Sequence, residues 1–242
     1  MGAQKKEFRL YAKKLFLSPV IFISGAAIWL SLSILSFLSS KVNKTLLSTF
    51  SNTISVGVYS IITFFILSFF FSGMIFLTKQ VFQKKRAGFV EFFSGARKFT
   101  IRHFVLFTIV VIIGILIGRI AHYSAFFIST QLNLSIRPAQ LLFLLIYFGA
   151  LAFFLLFISF SSFYLVLYDL SLKNSVKSSV KFVKKNYLLA ISIETILFVA
   201  FWFLNKLPSI FNEFIQYIVI IPLFVFIVSF FILSNENDLR AS

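Results

Sequence analysis

Between Ser55 and Thr78 the chain carries no charged residue, and residues 141–167 are likewise uncharged. A helix needs about 20 apolar residues to cross the hydrocarbon core of a bilayer. Either run is long enough to do so, and both are too uniformly apolar for the one-sided helices of a soluble core. Four further stretches meet or approach that length, at residues 19–38, 104–128, 188–204 and 214–233. This pattern predicts an all-α, polytopic bundle of six transmembrane helices forming a single domain over residues 1–242. The composition agrees, with 60% hydrophobic and only 12% charged residues and 37 phenylalanines spread along the chain. In water that surface would leave large exposed apolar patches, whereas against lipid it is at ease.

Lysine and arginine set the orientation, because loops on the cytoplasmic side keep an excess of both. One side of the six-span arrangement holds eighteen of them, in the N-terminal segment, the second and fourth loops and the C-terminal segment. The other side holds Lys41, Lys44, Arg137 and Lys206, and Arg119 falls inside a span. The imbalance predicts a cell-membrane protein with both termini in the cytoplasm. It also accounts for the net charge of +16 without invoking nucleic acid.

A basic amphipathic stretch precedes each odd-numbered span, at residues 5–17, 87–101 and 172–187. In the third, Leu172, Val176, Val180, Val183 and Tyr187 recur at helical spacing beside Lys173, Lys177, Lys181 and Lys184. Such a helix lies in the membrane interface, and Lys173, Lys177, Lys181, Lys184, Lys185, Arg97 and Lys98 are expected to meet anionic headgroups. The same pattern suggests a threefold repeat of interfacial helix plus hairpin, over residues 5–78, 84–167 and 170–234. In the middle unit Gly88 and Gly95 weaken helix propensity.

An ionisable side chain inside a span is costly and marks a candidate site. Glu194 and Arg119 are such residues, with His122 close to Arg119. For Glu194 the expected partners are Ser192, Thr195 or a serine among Ser159, Ser161 and Ser162. For Arg119, in the outer third of its span, an interface anchor is the leading reading. Gly114 and Gly118 form a GxxxG continued by Ala121, His122 and Ala125, a seam suited to close helix packing. Ser24, Ala27 and Ser31 form a similar stripe. Pro222 should kink the last span or free a carbonyl, and Asp169 is placed to cap the third amphipathic helix or pair with Lys173.

The chain has no cysteine and only seven acids, and it lacks phosphate-loop, zinc-protease and serine-hydrolase signatures. Neither a metal nor a cofactor is called for. One His without a second ligand beside it makes a poor metal site.

The run from Tyr164 through Tyr168, Asp169, Lys173, Asn174, Ser175, Lys177, Ser178, Lys181 and Lys184 to Asn186 and Tyr187 resembles a particular loop of a six-span family. That family is the membrane domain of glycerophosphoryl diester phosphodiesterases and its stand-alone relatives, many of them archaeal and uncharacterised. Gly88 to Phe99 resembles the family's earlier loop. In the phosphodiesterases the hydrolytic site belongs to a separate soluble barrel domain that has no counterpart in these residues, so no catalytic residue carries over. The resemblance implies membrane anchoring or partner support. Two functional expectations follow: a non-enzymatic protein that associates with a partner or with itself, or a small transporter subunit with a polar cavity near Glu194, His122 and Arg119.

Overall fold

The computed structural model describes residues 19–45, 49–83, 88–204, 206 and 208–240. Nine α-helices account for most of them: α1 (Val20–Thr45), α2 (Thr49–Phe82), α3 (Phe89–Gln131), α4 (Ile136–Ile158), α5 (Ser161–Leu167), α6 (Leu172–Lys185), α7 (Tyr187–Leu204), α8 (Ser209–Ile215) and α9 (Ile221–Arg240). A π-helical turn, Gln216–Ile220, joins the last two. There is no strand among the described residues.

Five stretches are long and apolar enough to cross a membrane: Gly57–Phe82, Phe89–Gln131, Ile136–Leu167, Tyr187–Leu204 and Asn212–Ser234. They match the predicted second to sixth spans. In α1, the first predicted span, the apolar stretch Val20–Leu35 is shorter. The amphipathic stretch at residues 5–17 lies outside the described residues.

The middle amphipathic stretch corrects the expectation of a separate interfacial helix. It runs without a break into the third span, making α3 a single helix of 43 residues. At its start the Glu91 carboxylate accepts the Gly88 backbone N–H at 2.9 Å, satisfying a donor that no preceding turn can reach. No proline interrupts residues 89–131. Gly95, expected to weaken the helix, sits where α2 presses closest. A Cβ built there would lie 2.3 Å from the Cβ of Phe76, and one built on Gly73 of α2 would lie 2.5 Å from the Phe92 ring. Each helix thus offers a glycine to a phenylalanine of the other. In lipid, where apolar association gains nothing from leaving water, this interlocking and its dispersion contacts are what hold two helices together.

The fourth predicted span, residues 141–167, is broken at Ser159 and Phe160 into α4 and α5. At the break the Phe157 carbonyl accepts the Ser179 hydroxyl of α6 at 2.6 Å. The buried face of α6 is Ser175, Ser179, Phe182 and Val183; of the expected stripe only Val183 is buried, Leu172, Val176 and Val180 are half-buried, and Tyr187 is exposed and opens the next helix. Small serines let α6 approach closely enough to bond backbone. The two amphipathic stretches described here therefore differ in form, one continuous with its span and one a separate helix.

Pro222 is preceded by the π turn, where a kink or a freed carbonyl was expected. Its ring would collide with the carbonyl four residues back and it has no N–H to donate. The chain widens just before it, and Ile221 N–H reaches five residues back to Gln216. The wider turn pushes the Tyr217 carbonyl against α1 at Gly25, where an added Cβ would lie 2.2 Å from that oxygen. The small-residue stripe expected in α1 therefore has its closest contact at Gly25, one position along from Ser24.

Buried side chains gather at one end of the bundle, the end rich in lysine and arginine. Met74, Ile75 and Leu77 of α2, Phe92 and Phe99 of α3, and all of α5 lie there. Val225 and Val228 of α9 complete this core, and the Thr78 hydroxyl donates to Ser229 at 3.1 Å. Towards the opposite end α3 and α4 continue as a hairpin whose buried positions in α3 are Ala121 and Ala125.

Candidate functional site

Arg119 and His122 lie one turn apart on α3, in an open cleft of about 500 Å³ between α3 and α4. Both side chains are exposed. Gly114 and Gly118 form the floor, as a packing seam should. A Cβ on Gly118 would come within 3.3 Å of Tyr147, and one on Gly114 within 3.9 Å of Leu151. Opposite them Phe143 and Tyr147 stack with ring centroids 5.8 Å apart, and His122 meets the edge of Phe143 at 6.1 Å. Arg119 forms no ion pair with a described residue.

Glu194 is elsewhere. It lines a second cleft, of about 470 Å³, between α4 and α7, with Phe153, Leu156, Ile191 and Phe198 among its neighbours. The three intramembrane candidates are thus split two and one rather than gathered round one cavity. Ser159, one of the expected partners, is the side chain that faces the Glu194 carboxyl, while Glu194 Oε1 and the hydroxyls of Ser159 and Ser161 are buried without a hydrogen bond of ordinary geometry to a described residue. Ser192, another expected partner, bonds the Leu188 carbonyl of its own helix at 2.8 Å.

One buried polar pair escaped the sequence reading. His103 is fully buried on α3, with Nδ1 2.7 Å from the Ser72 hydroxyl of α2. Its ring lies 5.5 Å from Phe71 and 5.0 Å from Phe107, and Nε2 has no hydrogen bond to a described residue. Its neighbour Arg102 marks a loop edge in the sequence and hides it. The helical offset of one residue is the signal that separates an exposed Arg102 from an inward His103.

Asp169 corrects another expectation. Instead of capping α6 or pairing with Lys173, it bonds Lys98 at 2.5 Å and Arg102 at 2.8 Å, one turn apart on α3. Ser171 is the cap, accepting the Asn174 N–H at 3.4 Å. Asp169 reaches α3 from a left-handed backbone with φ 55°, a conformation that aspartate tolerates better than most residues. The remaining predicted headgroup contacts, Arg97, Lys173, Lys177, Lys181, Lys184 and Lys185, are all exposed, whereas Lys98 is engaged by Asp169.

The Lys98 hydrogen bond, reinforced by Arg102, holds the Asp169 carboxyl below its ordinary value of 3.8. A carboxylate lowered on folding contributes stability above its unfolded value, and the contribution fades as pH falls through the lowered one. Asp169→Asn should therefore lower stability in detergent near neutral pH, by less than about 1 kcal/mol because the pair is exposed. Its melting point should converge with that of the parent below pH 3.8. Equal melting points for the two chains at neutral pH would remove the ion pair from the account.

Among the described residues no three His, Asp or Glu side chains stand close enough to hold a metal ion. Comparison with protein families, curated proteins and solved structures gives no match to this chain. Fold and clefts together define a helical protein with five helices able to cross a membrane.

Proposed function

We propose that the chain is a six-span protein of the cell membrane, with both termini cytoplasmic, that works without catalysis by associating with a partner protein or a second copy of itself. The carrying observation is lopsided packing. The lysine-rich end is a filled core, whereas α4 and α7 meet loosely and leave an open cleft where Glu194 keeps a buried oxygen without a hydrogen bond to a described residue; outward side chains such as Phe153, Ile196 and Phe203 suit lipid and a partner helix alike. The division of polar residues between two clefts supports the same reading, since each cleft is a seam between two helices and a transport route would need them to converge.

The remaining span, the first along the chain, is α1, whose 26 residues reach about 39 Å at 1.5 Å each. Orientation rests on the eighteen-to-four bias in lysine and arginine. The exposed lysines of α6 supply attraction to anionic headgroups, about 1 kcal/mol for each base near the surface. The resemblance to the phosphodiesterase membrane domain belongs to this reading too, as membrane anchoring or partner support.

Crosslinking in native membranes followed by purification in mild detergent tests the proposal. The expected result is a stoichiometric complex, with a second copy or another protein. A chain recovered alone and monomeric by both routes overturns it.

A further inference from the structure

We infer that the cleft between α3 and α4 is a binding site for an anionic amphiphile, a phospholipid with an acidic headgroup, entering from the leaflet opposite the lysine-rich end. This rests on the reading that α3 crosses the membrane. Arg102 and Arg119 lie on the same helix, 17 residues or about 25 Å apart, and bracket most of a hydrocarbon core about 30 Å thick. The only ionisable residue between them is His103, which is buried against α2. With Arg102 at one headgroup layer, Arg119 comes within about 5 Å of the other.

The cleft has the polarity of such a ligand. Its inner part is apolar, with Val110, Val111 and Ile115 of α3 facing Leu151 of α4, and its outer part carries Arg119 and His122. Gly114 and Gly118 let Leu151 and Tyr147 of α4 close the back of the cleft, and an acyl chain would lie in front of them against Val110, Val111 and Ile115. Arg119 has no ion pair with a described carboxylate to compete with the ligand. A guanidinium forms paired, charge-assisted hydrogen bonds with a phosphate. Polar head and apolar tail thus find partners in the order in which a lipid would present them. A zwitterionic lipid brings its own cation to Arg119 and binds more weakly.

The test uses the whole chain in nanodiscs of phosphatidylcholine doped with a phosphatidylglycerol that bears a diazirine on its acyl chain. Photolabel is expected in the α3 and α4 peptides that line the cleft. Arg119→Gln should reduce that labelling about tenfold, the loss of one charge-assisted contact, and Arg119→Lys should keep most of it. His122→Gln should have a smaller effect. Glycerol phosphate, the head without the tail, should not compete, whereas unlabelled phosphatidylglycerol should. Competition by glycerol phosphate alone would identify a soluble-anion site and overturn the lipid assignment. Equal labelling of the parent and Arg119→Gln would overturn it as well, as would equal labelling by a phosphatidylcholine probe. A dimer crosslinked through α3, with no lipid label, would assign the cleft to a second copy. Alkaline extraction separates the two levels of the argument. A chain released from membranes overturns the spanning reading and this site together, while one that stays and fails the labelling test overturns the site alone.

Discussion

Gly25→Ala is expected to lower stability by about 1–3 kcal/mol, the usual cost of overpacking a closed contact, and Gly25→Leu to prevent a monodisperse fold in detergent. The reason is the kind of atom that stands in the way. An alanine Cβ at position 25 meets the Tyr217 carbonyl oxygen at 2.2 Å and the Ile218 Cα at 3.1 Å, both main-chain atoms. No rotamer change can clear them, so α1 must move off the π turn. Gly57 provides the comparison, because an added Cβ there has nothing within 4 Å. Gly57→Ala should be neutral or gain about 1 kcal/mol from helix propensity. Thermal unfolding followed by size-exclusion fluorescence reads both variants. Matching curves for Gly25→Ala and Gly57→Ala would show that α1 and the π turn are not in contact.

The second large effect is expected at the crossing of α2 and α3, and it should be unequal on its two sides. An alanine at 73 meets the outer edge of the Phe92 ring, whereas one at 95 meets the Cβ of Phe76, fixed to its backbone. A ring can tilt and a Cβ cannot. Gly95→Ala should therefore cost more than Gly73→Ala, both within the overpacking range of about 1–3 kcal/mol. Phe92→Leu should offset much of the Gly73→Ala loss, with a coupling of about 0.5–3 kcal/mol. Phe76→Leu should do little for Gly95→Ala, because leucine keeps the offending Cβ. Additive losses in the first pair, or rescue in the second, would contradict the interlocked geometry.

These contacts mark the limit of what could be read in advance. Apolar run length and the distribution of lysine and arginine anticipated most of the helices and a lysine-rich end, since both are local properties that lipid and water select directly. Pro222 announced a disturbance of the last helix for an equally local reason, although the π turn before it was not among the expected forms, a kink or a freed carbonyl. The identity of neighbours was not legible. Gly95 looked like a weak point of a short helix, because propensity counts what glycine costs and not what it admits. Glu194, His122 and Arg119 were candidates for one polar cavity because each is ionisable within or beside a span, yet they line two clefts with α4 between them. Asp169 was matched to the nearest lysine in sequence, whereas its left-handed turn carries it to residues some seventy positions earlier on α3.

The unbroken course of α3 ties together regions that would otherwise be independent. Its lysine-rich third carries the Asp169 ion pairs and, next to Arg102, the His103 contact with Ser72 of α2, and its outer half forms one wall of the Arg119 cleft. No proline or π turn interrupts it, so the cleft and the basic surface are joined by one continuous run of backbone hydrogen bonds, with no loop between them to take up a displacement of either.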